Sequence, residues 1–427
     1  MQGAAREPPG AYWVVREEGF PQRQRRRWPF MDRLLTRMRP ALSLTAFYFS
    51  SFAALGIFLP YFNLYLLHRG LAAWQIGLIA AVPPLLKILV PAFFGLAADR
   101  TGRRRALIIG ACAATTLAFG LLLGVTSFAG ILAAMIAFAF VWAPVLPLVE
   151  ATTLETVERF KRLDYGRVRL WGSVGFIAAT AAMGVLLDYV SDRAILYGVL
   201  AAFAATTAAA FGIPAAAASR GPAAITLGAL LRRREFLLFY GACLLMQLGH
   251  GTYYGFFSIA LEGQGFSASA IGALWTIGVV AEVAFMFWSG RALSRIGAAP
   301  LLVISFIAAV LRWTLMARAP GPVGLAGTQC LHALSFGAFH VAAVTIIHQS
   351  VPPSLRATGQ TLYSSLAYGV GSGLGLLLNG WLYAAWGPST LFGWSAVVSA
   401  AGLILAVRFL VVTTAEIRLR GAPSPPA

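Results

Sequence analysis

Residues 73–105 read AWQIGLIAAVPPLLKILVPAFFGLAADRTGRRR, and this stretch sets the pattern for the whole chain. Its first part is an apolar run of the length that crosses about 30 Å of hydrocarbon as a helix. One cation, Lys87, interrupts the run, and a cluster of charge closes it. The stretch therefore predicts a membrane-spanning helix that ends in a charged loop. The charged end has the pattern G-x-x-x-D-R-x-G-R-R, formed by Gly95, Asp99, Arg100, Gly102, Arg103 and Arg104.

The composition of the 427-residue chain extends this prediction to the whole protein. Apolar residues make up 59% of the chain and charged residues only 11%, less than half the share in a typical soluble protein. The apolar runs are uninterrupted, which favours helices over the alternating strands of a membrane barrel. We predict an all-α membrane protein with twelve spans, the fourth continuing to about Phe160. The spans are 41–67, 74–98, 106–126, 129–153, 167–188, 194–214, 236–261, 269–291, 299–317, 323–349, 357–383 and 389–412.

The distribution of Lys and Arg predicts the orientation of the chain. Arg69, Arg193 and Arg318 are the only cations in one set of loops, and Lys87, Arg169 and Arg312 lie inside predicted spans; the remainder of the 33 lie in the other set of loops and the termini. Loops rich in Lys and Arg stay in the cytoplasm. The distribution places both termini there, and it explains the net charge of +18 without a nucleic-acid partner.

An internal repeat divides the chain into two halves. A shift of 195 positions places Lys87 on Glu282, so one repeat position carries a cation in the first half and an anion in the second. We predict two pseudo-symmetric six-helix bundles, 41–214 and 236–412, joined by a cytoplasmic linker at 215–235 and followed by a tail at 413–427. The same shift superposes Ile76-Gly77 on Ile271-Gly272, Gly95 on Gly290, Arg100 on Arg295, Gly102 on Gly297, and Asp99 on Ser294.

The first forty residues are basic and polar, and no signal-peptide core follows them. We interpret 1–40 as a disordered cytoplasmic segment. Met31 is an alternative start, because the sequence from there leads directly into the first span.

The charged loop motif, the two-half repeat and the twelve spans together resemble the major facilitator superfamily. The motif matches at every usual position but covers only the loop, whereas the repeat and topology cover about 41–412. The resemblance implies a secondary transporter that works by alternating access. We expect Asp99, with Arg100 and Arg103, to act as a gate that holds the cytoplasmic side shut in the outward-open state, with Asp99 accepting hydrogen bonds or capping a neighbouring helix. Topogenic charge alone is sufficient to explain Arg104 and Arg105.

A narrower resemblance concerns the charges inside the spans. The stretches 149–176 and 295–313 look like the lactose permease family, whose intramembrane charges match Glu150, Arg169, Glu282, Arg312 and His332 here. The stretch LHALSFGAFH at 331–340, with Gly359-Gln360 and Leu362-Tyr363, is more similar to the 3-phenylpropionate permease group, near the nucleoside–proton symporters. Three positions depart from the lactose permease pattern: Gln329 replaces a lysine, Ser335 an acid and Phe176 a tryptophan.

A charge inside a transmembrane helix is costly unless it is paired or hydrated, so each such residue is a candidate functional residue. The alternative for each is a purely structural ion pair or a hydrogen bond between helices. The candidates for substrate binding or proton coupling are Lys87, Glu150, Arg169, Glu282, Arg312, His332 and His340. The candidates for cavity lining are Asn63, Phe176, Gln247, His250 and Tyr253.

The sequence contains no nucleotide-binding motif, no clustered metal ligands and no catalytic motif. Cys112, Cys243 and Cys330 are single residues in apolar runs, and we expect all three to be buried. The prediction is therefore a protein without cofactor or metal, not an enzyme, that uses an ion gradient or transports passively.

We predict a monomeric proton symporter of a bacterial inner membrane that takes up a small organic solute. The three intramembrane cations favour a hydrophobic carboxylate such as an arylpropionate, followed by a sugar or nucleoside. Two alternatives stay open: a drug–proton antiporter, and a transporter-like sensor or lipid-handling protein.

Overall fold

The computed structural model describes residues 29–160, 163–215, 233–352 and 355–421. Most of the predicted N-terminal segment, the central part of the linker and the end of the tail lie outside the described residues. The described chain is helical, with eleven helices in sequence. They are α1 (Pro29–His68), α2 (Ala73–Thr101), α3 (Arg104–Leu123), α4 (Phe128–Arg159), α5 (Tyr165–Leu187), α6 (Arg193–Ala210), α7 (Arg234–Glu262), α8 (Ala268–Ile296), α9 (Ala298–Ala317), α10 (Pro322–Ser350) and α11 (356–421).

Ten of these helices are long and apolar enough to span a membrane, α7 being the exception among the described residues. Helix α11 contains a candidate span of 58 residues, Thr358–Ala415. It is broken at Gly387, where φ is 70°, and Pro388 follows. The predicted last two spans correspond to the parts before and after this break. The fourth predicted span does continue to Arg159. The total of twelve spans stays a prediction.

Glycines at the ends of helices repeat with the spacing found in the sequence. Gly70 ends the turn after α1 with φ 80°, and Gly265 follows α7 with φ 85°. Gly102, between α2 and α3, has φ 64°, and Gly297, between α8 and α9, has φ 87°. Both pairs are 195 positions apart. A positive φ is strained for any residue with a Cβ atom, so the backbone explains why the repeat retains glycine at these positions.

Two helices of the first half are interrupted by proline. Helix α2 breaks between Leu86 and Val90, and Pro91 follows the break. Because the ring of a proline clashes with the carbonyl group four residues earlier, Pro91 disrupts the helix at Lys87. Helix α4 breaks in the same way between Trp142 and Val145, where Pro144 and Pro147 are the cause.

Two helices of the second half contain π-helical segments instead. These are Ala333–Ala338 in α10 and Ser364–Gly371 in α11. A π-helical turn inserts an extra residue and rotates the side chains that follow, and such turns occur frequently at functional sites. The irregularities of α2, α4 and α10 lie near the middle of their helices, and that of α11 lies closer to its start.

The two halves contact each other at one end of the molecule, where α1 joins α2, α5 joins α6 and α7 joins α8. The arginine-rich loops lie at the other end of the molecule, which we call the basic end. The end at which the halves contact each other is therefore called the opposite end. At the opposite end the Tyr61 hydroxyl lies 2.9 Å from the carbonyl oxygen of Thr180 and 3.3 Å from that of Ala268. The amide of Ser269 donates to the Asp188 carboxylate at 3.3 Å. Helix α8 is thereby fixed to α1 and α5.

Further contacts close the same end. The Asn63 amide of α1 donates to the carbonyl oxygen of Gly255 in α7 at 2.9 Å. His68 lies 3.0 Å from Glu262. Gly77 of α2 and Gly380 of α11 are so close that a Cβ atom on Gly77 would lie 2.7 Å from the Cα atom of Gly380. Small residues allow such an approach of two membrane helices.

Candidate functional site

The second half contains a chain of charged and polar groups that runs from a half-buried carboxylate to a buried guanidinium. Glu282 of α8 lies 3.7 Å from Nε2 of His332 in α10, and its side chain is 20% exposed. Arg312 of α9 donates from Nη1 to Nδ1 of His332 at 2.8 Å. Because an arginine can only donate, Nδ1 accepts, and Nε2 carries the proton that faces Glu282. His332 therefore connects the anion to the cation.

Arg312 is fully buried and surrounded by partners. Its Nη2 donates to Oε1 of Gln329 at 3.0 Å, and the same oxygen accepts from the Tyr253 hydroxyl at 3.0 Å. Its guanidinium lies over the rings of Tyr253, at 4.4 Å, and Trp313, at 4.5 Å. Ser335 also lies within 3.4 Å. Gln329 and Ser335, two of the three departures from the lactose permease pattern, are thus neutral members of this network.

The first half holds its charges more loosely. Nε of Arg169 in α5 lies 3.9 Å from Glu150 in α4, and the side chains are 32% and 37% exposed. The arrangement is a single long contact and not a bidentate pair. Arg169 lies over the ring of Phe52 at 4.1 Å and that of Tyr48 at 5.6 Å. Its guanidinium is therefore oriented by aromatic rings yet accessible.

Lys87 is exposed and lies at the break in α2. Its ammonium group is 5.1 Å from the centre of the Trp142 ring, which lies at the break in α4. The two proline-induced interruptions thus meet at one cation–π contact. Glu150 is within electrostatic range of Lys87, so this acid faces two cations.

The two sets of charges face each other across the interface between the halves. Arg169, from the first half, is within electrostatic range of both Glu282 and His340 in the second. Glu282 is also within range of Tyr254 and of Tyr368 in α11. All of these groups are partly exposed, and we infer that they border one accessible space between the halves. Of the candidates from the sequence, Glu282 and His332 lie next to each other, and Arg169 is within electrostatic range of Glu282.

His340 belongs to a separate hydrogen-bonded triad. Its Nδ1 lies 3.2 Å from the Tyr363 hydroxyl and 3.1 Å from that of Tyr368, and the two hydroxyls are 3.2 Å apart. Tyr363 is fully buried, whereas His340 and Tyr368 are half-buried. Both tyrosines lie in or beside the π-helical segment of α11. His340 was a candidate from the sequence, whereas its partners Tyr363 and Tyr368 were not.

The candidates for cavity lining pack between helices. Asn63 joins α1 to α7, as described above, and Phe176 is 6% exposed within the apolar core. Gln247 accepts from the Ser372 hydroxyl at 3.4 Å. His250 is fully buried, with Nδ1 2.8 Å from the carbonyl oxygen of Met246. Tyr253 contacts the Arg312 network, so it supports the site from behind.

The charged loop motif forms contacts within the first half. Arg104, at the start of α3, is buried and forms ion pairs with Glu155 of α4 and, at 3.5 Å, with Asp99 of α2. Topogenic charge is therefore an insufficient account of Arg104. Arg105 donates to the carbonyl oxygen of Phe211 at 2.6 Å. The remaining members of the motif lie on the surface around these two ion pairs; they are Gly95, Arg100, Gly102 and Arg103.

Two aromatic side chains beside the charges, Phe336 and Trp142, were not candidates from the sequence. Phe336 stacks on His332 at 5.1 Å and contacts Tyr368 at 6.2 Å. The spacing offered a signal, because His332, Phe336 and His340 follow at intervals of four and so share a face of α10. Trp142 offered none, since a tryptophan in an apolar run is equally typical of packing.

The described residues contain no group of His, Cys, Asp and Glu that could hold a metal ion. Cys112 and Cys243 are buried as expected, but Cys330 is exposed. That expectation was wrong for Cys330 because an apolar run does not specify which side of its helix faces outward.

The chain is similar to known transporters along most of its length. The model of the MFS_1-like family matches residues 41–394. A protein of Escherichia coli (strain K12) described as a probable 3-phenylpropionic acid transporter is 33% identical over 79% of this chain and 89% of its own. A maltose permease of Geobacillus stearothermophilus is 26% identical over 84% of this chain and 92% of its own.

The solved structures that resemble the chain share its fold. The nucleoside transporter NupG superposes with a TM-score of 0.76, over 87% of this chain and 98% of that one, at 19% identity. The human organic anion transporter MFSD10 superposes with a TM-score of 0.60 at 16% identity, over 87% of this chain and 99% of its own. At such identities the likeness concerns the fold alone. It confirms the predicted fold class.

Proposed function

Because the chain belongs to the MFS_1-like family of transporters, we propose that it imports a small hydrophobic carboxylate, such as an arylpropionate, together with protons. Membership establishes a membrane-embedded secondary transporter, and it confirms that the protein is not an enzyme. The substrate class, the coupling ion and the direction are the proposal. The relative described as a probable 3-phenylpropionic acid transporter supports the choice of substrate.

The observation that carries the proposal is the partly exposed guanidinium of Arg169, which is within electrostatic range of Glu282. Arg169 is accessible, oriented by Phe52, and only weakly paired with Glu150. Lys87 is a second accessible cation. Accessible cations beside aromatic rings suit a ligand that joins a carboxylate to an apolar ring, because the guanidinium binds the anion and the rings bury the remainder.

Proton coupling follows from charge balance in the same space. A substrate carboxylate bound to Arg169 brings a negative charge towards Glu282. A proton on Glu282 cancels that charge, so substrate and proton each favour binding of the other. His332, whose Nε2–H faces Glu282 at 3.7 Å, offers a route for the proton towards the buried network around Arg312.

The orientation follows from the basic loops, which we assign to the cytoplasm of a bacterial cell. The contacts between the halves at Tyr61, Asn63 and Gly77 then lie on the outer side, and we propose that this conformation is the inward-open state. Transport requires these contacts to break and the cytoplasmic ends to approach. We propose that the loop motif, held by Arg104, forms the cytoplasmic gate in that second state.

Purified protein in proteoliposomes tests the proposal. An imposed inward proton gradient is expected to drive uptake of radiolabelled 3-phenylpropionate above the equilibrium level. Glu282→Gln, which is neutral but similar in shape, is expected to abolish uphill uptake while counterflow of preloaded substrate survives. Uphill uptake at the wild-type level in this variant would contradict the coupling assignment.

The same vesicles distinguish the alternatives. Extrusion driven by the inward proton gradient would indicate a drug–proton antiporter. Uptake of maltose or uridine with none of 3-phenylpropionate would replace the substrate class. Absence of flux for all of these, with ligand-induced stabilisation of the purified protein, would favour a sensor or lipid-handling protein. Size-exclusion chromatography with light scattering tests the predicted monomer.

A further inference from the structure

The His340 triad is not explained by proton coupling at Glu282. Three polar groups from α10 and α11 meet at distances of 3.1 to 3.2 Å, next to the accessible space but separate from the Arg312 network. A polar cluster inside a membrane bundle is costly. Its arrangement therefore calls for a role of its own.

The hydrogen bonds of the triad determine which nitrogen of His340 carries the proton. A phenol hydroxyl is a stronger donor than a neutral imidazole, and an imidazole nitrogen is a stronger acceptor than a phenol oxygen. Nδ1 of His340 therefore accepts from Tyr368, at 3.1 Å, and Tyr363 donates to the Tyr368 oxygen. The proton of the neutral ring is then on Nε2.

Nε2 of His340 is available to a ligand. The ring is half-buried, and Nε2 itself is not enclosed by the protein. Within the described residues no side chain bonds to it. Arg169, on the other half of the chain, is within electrostatic range of His340. Two donors from opposite halves of the chain thus lie within electrostatic range of each other.

We propose that Arg169 and Nε2–H of His340 form a carboxylate clamp, and that Tyr363 and Tyr368 are positioning residues that hold His340 in the donating tautomer. This inference rests on the proposed function and assigns the atoms that recognise its substrate. The carboxylate accepts from the guanidinium on one side and from the imidazole on the other. Because α5 and α10 belong to different halves, a bound carboxylate draws the halves together.

The clamp also accounts for selectivity. A carboxylate has only acceptors and matches two donors, whereas the corresponding amide presents two hydrogens of its own. An uncharged ligand of the same shape leaves one donor without an acceptor and forfeits the charge-assisted bond to Arg169. The site therefore selects an acid over its amide by means of residues from both halves.

Isothermal titration of the purified full-length protein tests the clamp with 3-phenylpropionate and 3-phenylpropionamide as probes. His340→Leu removes the donor at similar volume, and we expect the acid to bind about tenfold more weakly while the amide changes little. His340→Gln retains an N–H donor and is expected to restore most of the affinity. In protein that already carries Arg169→Gln, His340→Leu should lower the affinity for the acid less than it does in the wild-type protein. The reason is that the two side chains bind the same ligand group.

Tyr368→Phe isolates the positioning role, since it removes the hydroxyl and keeps the ring. We expect the acid-to-amide preference to fall about threefold, as for loss of one neutral hydrogen bond that acts through His340. Tyr383→Phe is the matched control on the same helix, where the ring stacks on Phe256. It should leave both affinities unchanged.

The outcomes separate this inference from the proposed function. Wild-type protein that binds neither probe overturns both. Wild-type protein that prefers the acid, with the same preference in His340→Leu and Tyr368→Phe, overturns the clamp and leaves the proposed function in place. If His340→Leu does not fold, Tyr368→Phe decides alone, and an unchanged preference in that variant overturns the positioning role and the clamp with it.

Discussion

Lys87 and Glu282 occupy the same position of the internal repeat, 195 residues apart, yet their surroundings differ in kind. Lys87 is exposed at a break in its helix and contacts the face of Trp142. Glu282 lies in a continuous helix, within 3.7 Å of His332, with Arg312 buried behind. In the first half the cations are accessible, whereas in the second the cation is enclosed.

The backbone differs in the same way. Prolines interrupt α2 and α4 of the first half, and π-helical segments distort α10 and α11 of the second. A proline break interrupts the helical hydrogen bonds, and in α2 it leaves Lys87 at the end of a helical segment. A π-helical turn keeps the helix continuous while it redirects side chains. The first half is therefore suited to presenting charge to a ligand, and the second half is suited to keeping a connected polar network out of water.

The largest effect is expected from the enclosed cation. Arg312→Gln removes the donor to Nδ1 of His332 and one of the two donors to Gln329, and loss of one member of a buried charged network costs about 3 kcal/mol or more. We expect a clearly lower melting temperature and loss of transport. Arg318→Gln, in an exposed turn six residues later, is the control. Equal melting temperatures for the two variants would contradict the enclosed network.

The next largest effect is expected at the contact between Gly77 and Gly380, where the two halves meet. Gly77→Leu places side-chain atoms where Gly380 now lies, since even a Cβ atom would approach to 2.7 Å. Overpacking of this kind costs about 1–3 kcal/mol, and we expect the closed opposite end to open. A cysteine introduced near that end should react with a thiol-specific label faster in this variant than in the wild-type protein. Gly110→Leu, with open space around its Cβ position, should not change the labelling rate.

A smaller effect is expected from the accessible cation. Lys87→Gln removes one charge from the space that receives the substrate, and we expect the KM for 3-phenylpropionate to rise about tenfold, or about 1.4 kcal/mol. Uphill accumulation should remain, because Glu282 and His332 are intact. A variant that binds substrate normally but no longer accumulates it would reverse the roles we assign to the two halves.

The smallest effect concerns the loop motif. Arg104→Gln removes the ion pairs to Asp99 and Glu155, which are partly exposed, so we expect a loss of about 1 kcal/mol in stability. Arg100→Gln, at an exposed position, should be neutral in a thermal unfolding assay. A neutral Arg104→Gln would show that these ion pairs do not hold α2, α3 and α4 together.

Much of the site was predictable because membranes restrict charge. Lys87, Glu150, Arg169, Glu282, Arg312 and His332 stand out in apolar runs. The structure places Glu150 near Arg169 in the first half, and Glu282 and Arg312 on either side of His332 in the second. The role of Arg104 was missed, since an arginine in a basic loop has a sufficient explanation in topology. The triad partners of His340 were also missed, because tyrosines in apolar helices are common in packing.

The sequence by itself determined the helical membrane architecture, the repeat and the identity of the intramembrane charges. Each of these follows from the cost of exposing polar groups to hydrocarbon, which acts on every residue separately. Only the tertiary structure decided the pairings: His332 between Glu282 and Arg312, and His340 on two tyrosines. Such contacts depend on how helices from distant parts of the chain are rotated. The proline breaks and π-helical segments change that rotation in the middle of the spans, where counting by helical period no longer assigns a side chain to its face.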